Sequence, residues 1–531
     1  MDSSDPRQED SPLLFHNEAK TVFLIDIPHS IVLAQSSLPS KHAADQNGAS
    51  TSAEKSVSSP DQAPAKRKYL LSAKPPDVPY PSCEPKKPEA RDRVLETIPP
   101  TEQRFHSSFI QPLVETALQE IKTGYSLDQG KWCLPRYIKE AENHQYQQEG
   151  SKKRKADDNL RQDGYGCFRQ WSTFPPLPWT PSALSSRSTP PLILSNTSTT
   201  KFGSLSDIRG VVKNPSPEPA ILKIGPELRM FKTISSEYIV PPYSNFVRRT
   251  IPLTCMETLD IPIPGLPTNQ KFNIIVADPP WHNKSVKRSG HYETNRYSDT
   301  EILAQRLKDI LRIHTYSPPE QSPPEIPTPE AQTKSQDSIA AIWITNSPKT
   351  REVAYGAMLG AGFRICEEWV WIKTTVDGKP VVPVDGLWKK PYEILVIGRK
   401  EDASSQTPAV ADDTSTEDGD ILGVDPATIS RRVIAAVPDL HSRKPNLKCL
   451  FEQLFFTAAP PLENAGCCQS YAALEVFARN LTAGWWACGD EVLKFNDTEC
   501  WGECEVLKSD MGEPHGEEAT SPIGEDSGMD I

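Results

Sequence analysis

Phe272-Asn273-Ile274-Ile275-Val276-Ala277 runs directly into Asp278-Pro279-Pro280-Trp281, and the reading of this stretch decides the fold. A short apolar run ended by prolines reads as a buried strand. The turn that follows then lies at the carboxyl edge of a sheet, where open α/β folds gather their ligands. Each proline fixes its own φ and lacks an N–H, so the turn is stiff and offers carbonyl acceptors without competing donors. With a carboxylate on one side and an indole on the other, it suits a flat ligand that bears an amino group.

Alkylation of an exocyclic amine on a planar base needs those residue types. Adenine's amino nitrogen is a poor nucleophile because its lone pair is delocalised into the ring. A site must therefore hold both N–H bonds and aim the lone pair at an electrophile. The Asp278 carboxylate and the Pro279 carbonyl can accept the two hydrogens, Pro280 stiffens the turn, and Trp281 can stack on the base. The sulfonium methyl of S-adenosylmethionine is the natural electrophile, and the proton can leave afterwards to Asp278 or water. Taken alone, the same four residues would also make a stiff strand exit with a tryptophan over the core. The following His282 to Ser289 is polar and basic without apolar periodicity. It sets Asn283, Lys284, Lys287 and Arg288 where a substrate's phosphates would lie, although a solvated charged loop has the same composition.

These residues resemble the MT-A70-like adenine-N6 methyltransferases, whose catalytic motif is Asp-Pro-Pro-Trp, and Asp278 to Ser289 is similar to the methyltransferase-like protein 4 branch. Further blocks agree in order: Lys389-Lys390-Pro391-Tyr392-Glu393, Leu440-His441-Ser442-Arg443-Lys444-Pro445, Leu474 to Leu481 followed by Gly484-Trp485, and Glu491-Val492-Leu493-Lys494-Phe495. The resemblance runs with gaps from about Tyr238 to Phe495. It implies an S-adenosylmethionine-dependent adenine-N6 methyltransferase acting on nucleic acid, RNA ahead of DNA, and in particular on an internal 2′-O-methyladenosine of a spliceosomal small nuclear RNA. It further implies that Glu475, Arg479 and Asn480 contact the cofactor ribose, that Ser442 and Lys444 reach the methionine carboxylate, and that Glu393 helps seat the nucleotide. Glu475 closes a short apolar strand, a place from which an acid can accept both ribose hydroxyls; a simple pairing with Arg479 would account for the two residues equally.

The chain departs from the family pattern twice. The family's Gly-Asn-Glu/Gln element, another ribose contact, reads Gly489-Asp490-Glu491, which replaces an amide donor by an acceptor-only group. Aligning Tyr238 to Pro242 and Phe246 puts Thr250, with Ile251 beside it, where an acid usually meets the cofactor's adenine amine. Thr250, Ile251, Asp490 and Glu491 complete the expected cofactor set. No Gly-rich GxGxxG follows the first strand, and the catalytic turn precedes Glu475, an order that resembles a circularly permuted, Rossmann-like methyltransferase fold. A catalytically silent scaffold of the family would lack the motif's Asp and Trp, and both are intact. A regulator acting through long disordered arms is a third reading, one that would outlast loss of chemistry.

Composition sets the surroundings. With 52 prolines in 531 residues and a mean hydropathy of -0.51, one catalytic domain with long disordered additions is expected rather than several packed domains. The net charge of -12 leaves nucleic-acid binding to local patches such as Lys284 to Arg288. Eleven cysteines without two CxxC pairs, and an acidic beginning unlike a signal peptide, suggest a reduced, intracellular protein. Cys500 and Cys504 form a CxxxC that lacks a second pair, so no metal is expected. No apolar run reaches transmembrane length. Of two basic clusters, Lys66-Arg67-Lys68 and Lys152-Lys153-Arg154-Lys155, the second has the density of a nuclear-import signal, which points to the nucleus with the cytoplasm as the alternative. No required protein partner is evident.

Along the chain, Thr21–Ile27 and Ile31–Leu33 read as a short strand pair within residues 1–34, and 35–100 as disordered linker. Phe109, Ile110, Leu113, Leu118 and Ile121 place a helix within 101–135, part of a small N-terminal domain. Residues 136–217 read as a second, mostly disordered linker. The α/β methyltransferase domain follows over 218–505, with disordered inserts at 317–337 and 401–419, and an acidic tail at 506–531. Strands are expected at 340–345, 369–372, 394–397, 433–437 and 474–477, and a helix at 352–360, an alternation that implies a doubly wound sheet. Trp343, Trp369 and Trp371 fall on strands, which favours core packing over an aromatic cage.

Overall fold

A computed structural model describes residues 11–36, 67–81, 84–85, 87–125, 130–138, 190–229, 232–253, 256–281, 300–317, 338–401, 422–441, 443–456 and 471–504. In chain order its strands are β1 (Leu13–His16), β2 (Val22–Ile25), β3 (Arg67–Leu70), β4 (Leu192–Ile193), β5 (Thr200–Phe202), β6 (Val211–Lys213), β7 (Ala220–Arg229), β8 (Lys232–Val240), β9 (Asn245–Val247), β10 (Ile274–Ala277), β11 (Ile339–Ile344), β12 (Phe363–Lys373), β13 (Tyr392–Lys400), β14 (Ser430–Ala436), β15 (Ala473–Val476), β16 (Trp486–Cys488) and β17 (Trp501–Cys504). Twelve of them form one sheet in the order β1-β2-β14-β12-β13-β11-β10-β15-β16-β9-β6-β4, while β17-β3 and β5-β7-β8 form two small ones.

β10 is buried along its whole length. It pairs in parallel with β11 on one side and β15 on the other, Ala277 lying opposite Ile342 and Val476. β16 and β9 extend the parallel run. β13 then runs antiparallel between β11 and β12, so the sheet is mixed. Alternate residues feed two cores, as strand geometry requires. Ile275, Ala277, Ile342, Val396 and Val433 face the helices Gln111–Gly124, Thr300–His314 and Pro348–Gly360. Ile274, Val276, Trp343, Trp369, Trp371 and Ile434 face the helices Ile27–Ala34 and Lys448–Phe451. The three tryptophans are core residues, as their strand positions suggest, and the expected strands and the helix after β11 all form.

The N-terminal third differs from its expectation. Ile31-Val32-Leu33 is helical, within Ile27–Ala34, because Asp26 accepts the His29 N–H at 2.8 Å and Pro28 starts the first turn. The strand partner of β2 is β1. β2 also pairs in parallel with β14, Val22 opposite Val433, so this pair is an edge of the main sheet and not a separate unit. The helix placed near 109–121 is Gln111–Gly124, continuing a π-helical turn at Phe105–Ile110, and its buried Val114, Ala117, Leu118 and Ile121 join the same core as β10. Both stretches read as linkers carry structure: β3 pairs with β17, and β4 and β6 extend the main sheet back to Leu192. The expected inserts (from 318 and from 402) and the acidic tail lie outside the described residues. No described helix is long and apolar enough to cross a membrane, and no described cluster of three His, Cys, Asp or Glu could hold a metal.

Candidate active site

Asp278 leaves β10 with its backbone N–H donated to Val476 O of β15 at 3.3 Å. The turn then tightens as the Trp281 N–H donates to Pro279 O at 2.8 Å. The Pro279 carbonyl therefore already holds one hydrogen bond and has one lone pair left for a ligand. The Trp281 indole N–H donates to Trp343 O of β11 at 2.8 Å, and its half-buried ring packs against the sheet core. The indole thus ties the turn to β11 as well as flanking it.

A chain of alternating charges crosses this edge of the sheet. Lys373 Nζ lies 2.6 Å from Glu393 Oε1, Lys444 Nζ 3.2 Å from Glu393 Oε2, and Lys444 Nζ 3.0 Å from Asp278 Oδ1. Arg479 Nη1 is 3.9 Å from Asp278 Oδ2, Arg479 Nε 3.1 Å from Glu491 Oε2, and Lys494 Nζ 3.0 Å from Glu491 Oε1. Burial alone would push the Glu393 carboxyl up, but Lys373 and Lys444 hold it well below the usual carboxylate range. Burial would likewise lower the Lys444 ammonium, yet Asp278 and Glu393 outweigh it and raise that pKa. Lys444 is consequently a fixed cation. The resemblance implies that it reaches the methionine carboxylate; in the structure it lines the pocket and stands between Asp278 and Glu393.

Glu475, on β15 beside β10, has Asp278 and Arg479 as charged neighbours but, among the described residues, no hydrogen bond or ion pair. Burial first and the Asp278 charge second push its carboxyl up to about 8. It opens into a pocket that it shares with Asp278, Lys444, Arg479, Asn480, Phe477 and Trp485. Phe477 turns the chain into this pocket with φ 60°, a conformation costly for a side chain with a Cβ. Gly489 makes that turn possible: a Cβ there would lie 3.3 Å from Phe477 Cα.

The structure brings Asp278, Lys444, Glu475, Arg479 and Asn480 to one pocket and ties Glu393 and Glu491 to it through Lys444 and Arg479. Asp490 does not line it; its Oδ1 accepts the Glu491 N–H at 3.1 Å, and burial with Glu491 repulsion raises its pKa. Thr250 follows β9 with its hydroxyl buried and unpartnered, and Ile251 is a core residue, so neither lines the pocket. Ser442, Asn283, Lys284, Lys287 and Arg288 lie outside the described residues. Lys373 and Trp485 went unassigned by the sequence reading. A charge closing an apolar strand, the signal used for Glu475, would have found Lys373.

Tyr392, adjacent to Glu393, belongs to a second polar cluster. Its hydroxyl lies 2.8 Å from His106 Nδ1, His106 Nε2 lies 2.8 Å from Glu102 Oε1, and Arg351 Nη1 donates to Glu102 Oε2 at 2.9 Å. Burial would raise the Glu102 carboxyl, but His106 and Arg351 hold it low, whereas burial keeps the His106 pKa low. Neutral His106 therefore donates to Glu102 from Nε2 and accepts the Tyr392 O–H at Nδ1. The Arg351 guanidinium sits over the Phe105 ring, 3.5 Å from its centre.

The MT-A70 family model matches residues 272–491. The chain is 35% identical over 235 residues to the N6-methyladenosine RNA methyltransferase MTA1 of Cryphonectria parasitica, covering 44% of this chain and 55% of that protein. It is 32% identical over 272 residues to the N(6)-adenine-specific methyltransferase METTL4 of Mus musculus, 50% of this chain and 45% of that one. To the DNA N6-methyl methyltransferase of Caenorhabditis elegans it is 29% identical over 194 residues, 36% and 41% of the two chains. The chain spans about half the length of the curated relatives it matches. The matched stretch takes in β10 and carries both Asp278 and Glu475, so it is in this part of the chain, residues 272–491, that the protein is similar to the MT-A70 methyltransferases and to their METTL4 members.

Proposed function

We propose that this protein methylates N6 of adenine in nucleic acid with S-adenosylmethionine, acting on RNA ahead of DNA and, in the narrowest form, on an internal 2′-O-methyladenosine of a small nuclear RNA. One observation carries the reading: Asp278 and Glu475, from adjacent parallel strands, open into the same pocket, and among the described residues the Glu475 carboxyl has no hydrogen-bond partner. A half-buried carboxyl left in that state fits the two hydroxyls of a ribose, and the neighbouring Asn480, Phe477 and Trp485 supply an amide and apolar walls. S-adenosylmethionine, when bound, supplies an electrophilic methyl group.

The chain's residues do the rest. Asp278 keeps acceptor capacity beyond its contacts with Lys444, since a carboxylate offers about four lone-pair sites. It can therefore take one N–H of the adenine amine while Lys444 holds it in place, and the remaining Pro279 lone pair can take the other. Lys444 stays charged and is no general base, so the proton lost from nitrogen passes to Asp278 or water after the methyl has moved. Lys373 and Glu393 brace Lys444 from behind.

DNA adenine is the second reading, supported by the similarity to the nematode DNA N6-methyl methyltransferase. RNA selectivity would need a contact near the sugar's 2′ position. Nuclear residence is part of the same proposal and rests on Lys152 to Lys155. The test is transfer of labelled methyl by the purified full chain to matched RNA and DNA oligonucleotides carrying adenosine or 2′-O-methyladenosine. Preference for 2′-O-methylated RNA is expected. Equal transfer to all would overturn the RNA reading, and none to any adenine would overturn the activity.

A further inference from the structure

The connection from β12 to β13 overhangs the catalytic edge. Ile344 at the end of β11 pairs with Ile394, so the start of β13 lies at the edge where β10 and β11 end, and Glu393 reaches Lys444 there. Five residues earlier, Trp388 is 56% exposed, the one exposed tryptophan among the described residues. Five residues span at most about 18 Å, so Trp388 stays within a few nucleotides of Asp278's neighbourhood.

This connection is firmly held, mostly by parts of the chain outside the family match. Val376 N–H donates to Pro76 O at 3.0 Å, Trp132 N–H to Val376 O at 2.9 Å, and Tyr80 N–H to Val381 O at 2.7 Å. Glu84 Oε1 accepts the Trp388 N–H at 3.1 Å, while Arg91 lies 3.5 Å from Glu84 Oε2. Gly386 lets Glu84 approach, since a Cβ there would stand 2.8 Å from Glu84 Oε1 and 2.6 Å from Lys389 O. The backbone is thus fixed by its neighbours while the indole faces solvent. Lys389 beside it is exposed, and Lys390 turns partly inward toward Asp385 and Glu84.

We propose that Trp388, with Lys389, is a stacking platform for a nucleotide flanking the target adenine of a single-stranded nucleic acid. The proposal rests on the methyltransferase reading. An adenine whose amine is to be methylated must leave its pair and stack, so its neighbours lose stacking partners too. A rigid exposed indole replaces that stacking for any base, and an adjacent cation neutralises phosphate.

The test measures binding of a labelled single-stranded oligonucleotide by the full-length protein, by fluorescence anisotropy, for wild type, Trp388→Ala and Trp388→Phe. Affinity should fall about 5- to 150-fold in Trp388→Ala and recover largely in Trp388→Phe, while S-adenosylmethionine affinity, by calorimetry, is unchanged. Equal oligonucleotide affinity in all three overturns the platform, and so does loss of a protein assembly in Trp388→Ala, on a sizing column, with oligonucleotide affinity intact. If wild type methylates and binds but Trp388→Ala binds equally well, the platform alone fails. Wild type that neither binds nor methylates any oligonucleotide overturns both readings.

Discussion

Tyr392 and Glu393 are neighbours on β13 and face opposite sides of the sheet, so each joins a different charged cluster. On the Tyr392 side the cluster is closed off from space: each Glu102 oxygen has a partner, His106 uses both nitrogens, and the buried Arg351 guanidinium, with Nε and Nη2 left unpartnered, is covered by the Phe105 ring. On the Glu393 side the charges run through Asp278 and Arg479 to Glu491 and Lys494, and pass Glu475, which has a pocket in front of it. Both clusters are densely charged. What separates a brace from a binding site is unused hydrogen-bonding capacity facing open space, not charge.

Substitutions on the two sides should therefore fail in different ways. The largest effect is expected from Asp278→Asn: methyl transfer should drop about 10³-fold, because the amine loses an oriented anionic acceptor, with thermal melting close to wild type. Retained turnover would mean that Asp278 does not orient the amine. Glu102→Ala should invert the pattern. It strands the buried Arg351 and costs about 3 kcal/mol of stability in urea unfolding, while turnover per folded molecule stays near wild type. Lost turnover at unchanged stability would erase the distinction between brace and site.

Glu475→Gln should weaken S-adenosylmethionine binding about tenfold, the worth of a charge-assisted hydrogen bond. In wild type, calorimetric affinity should rise with pH toward about 8 and level off as Glu475 ionises, whereas the Gln variant should be flat across that range. Stability of the free protein runs the other way. The folded-state pKa is raised from 4.5, so the folded chain holds the proton more tightly, and the resulting stabilisation, full below 4.5, is lost as pH climbs through about 8. Glu475→Gln should remove that slope. The smallest effect is expected for Gly489→Ala, about 1–2 kcal/mol in thermal unfolding, since its φ of 145° and the 3.3 Å contact with Phe477 both disfavour a Cβ. Weaker cofactor binding should accompany it.

The parts of the molecule legible in sequence are those where local pattern and chemistry coincide. The apolar run before Asp278 and the acid closing Leu474-Glu475 each announce a strand end, and both lie where the pocket is. Ile31-Val32-Leu33 shows the limit of pattern: a short apolar run fits a strand or a buried helix, and the capping Asp26 with Pro28 decided it. Glu102 and His106 were invisible for another reason. Their partners stand at Arg351 and Tyr392, and no local spacing encodes contacts that distant. Glu84 and Trp388 are linked in the same way. The ion pairs of Lys444 with Asp278 and Glu393 were invisible too, because its motif specifies a cation but not which carboxylates of the chain it meets.

The pairing of β2 with β14, and of β3 with β17, has a consequence for how the protein is made. Val22 cannot find Val433, nor Leu70 find Trp501, until the ribosome has delivered nearly all of the chain between them. The first strands emerge early with unpaired edges and must wait, a state prone to aggregation that chaperones shield. A fragment cut to the bounds of the MT-A70 match would omit β1 and β2, and recombinant pieces of that kind should be recovered as insoluble material far more often than the whole chain.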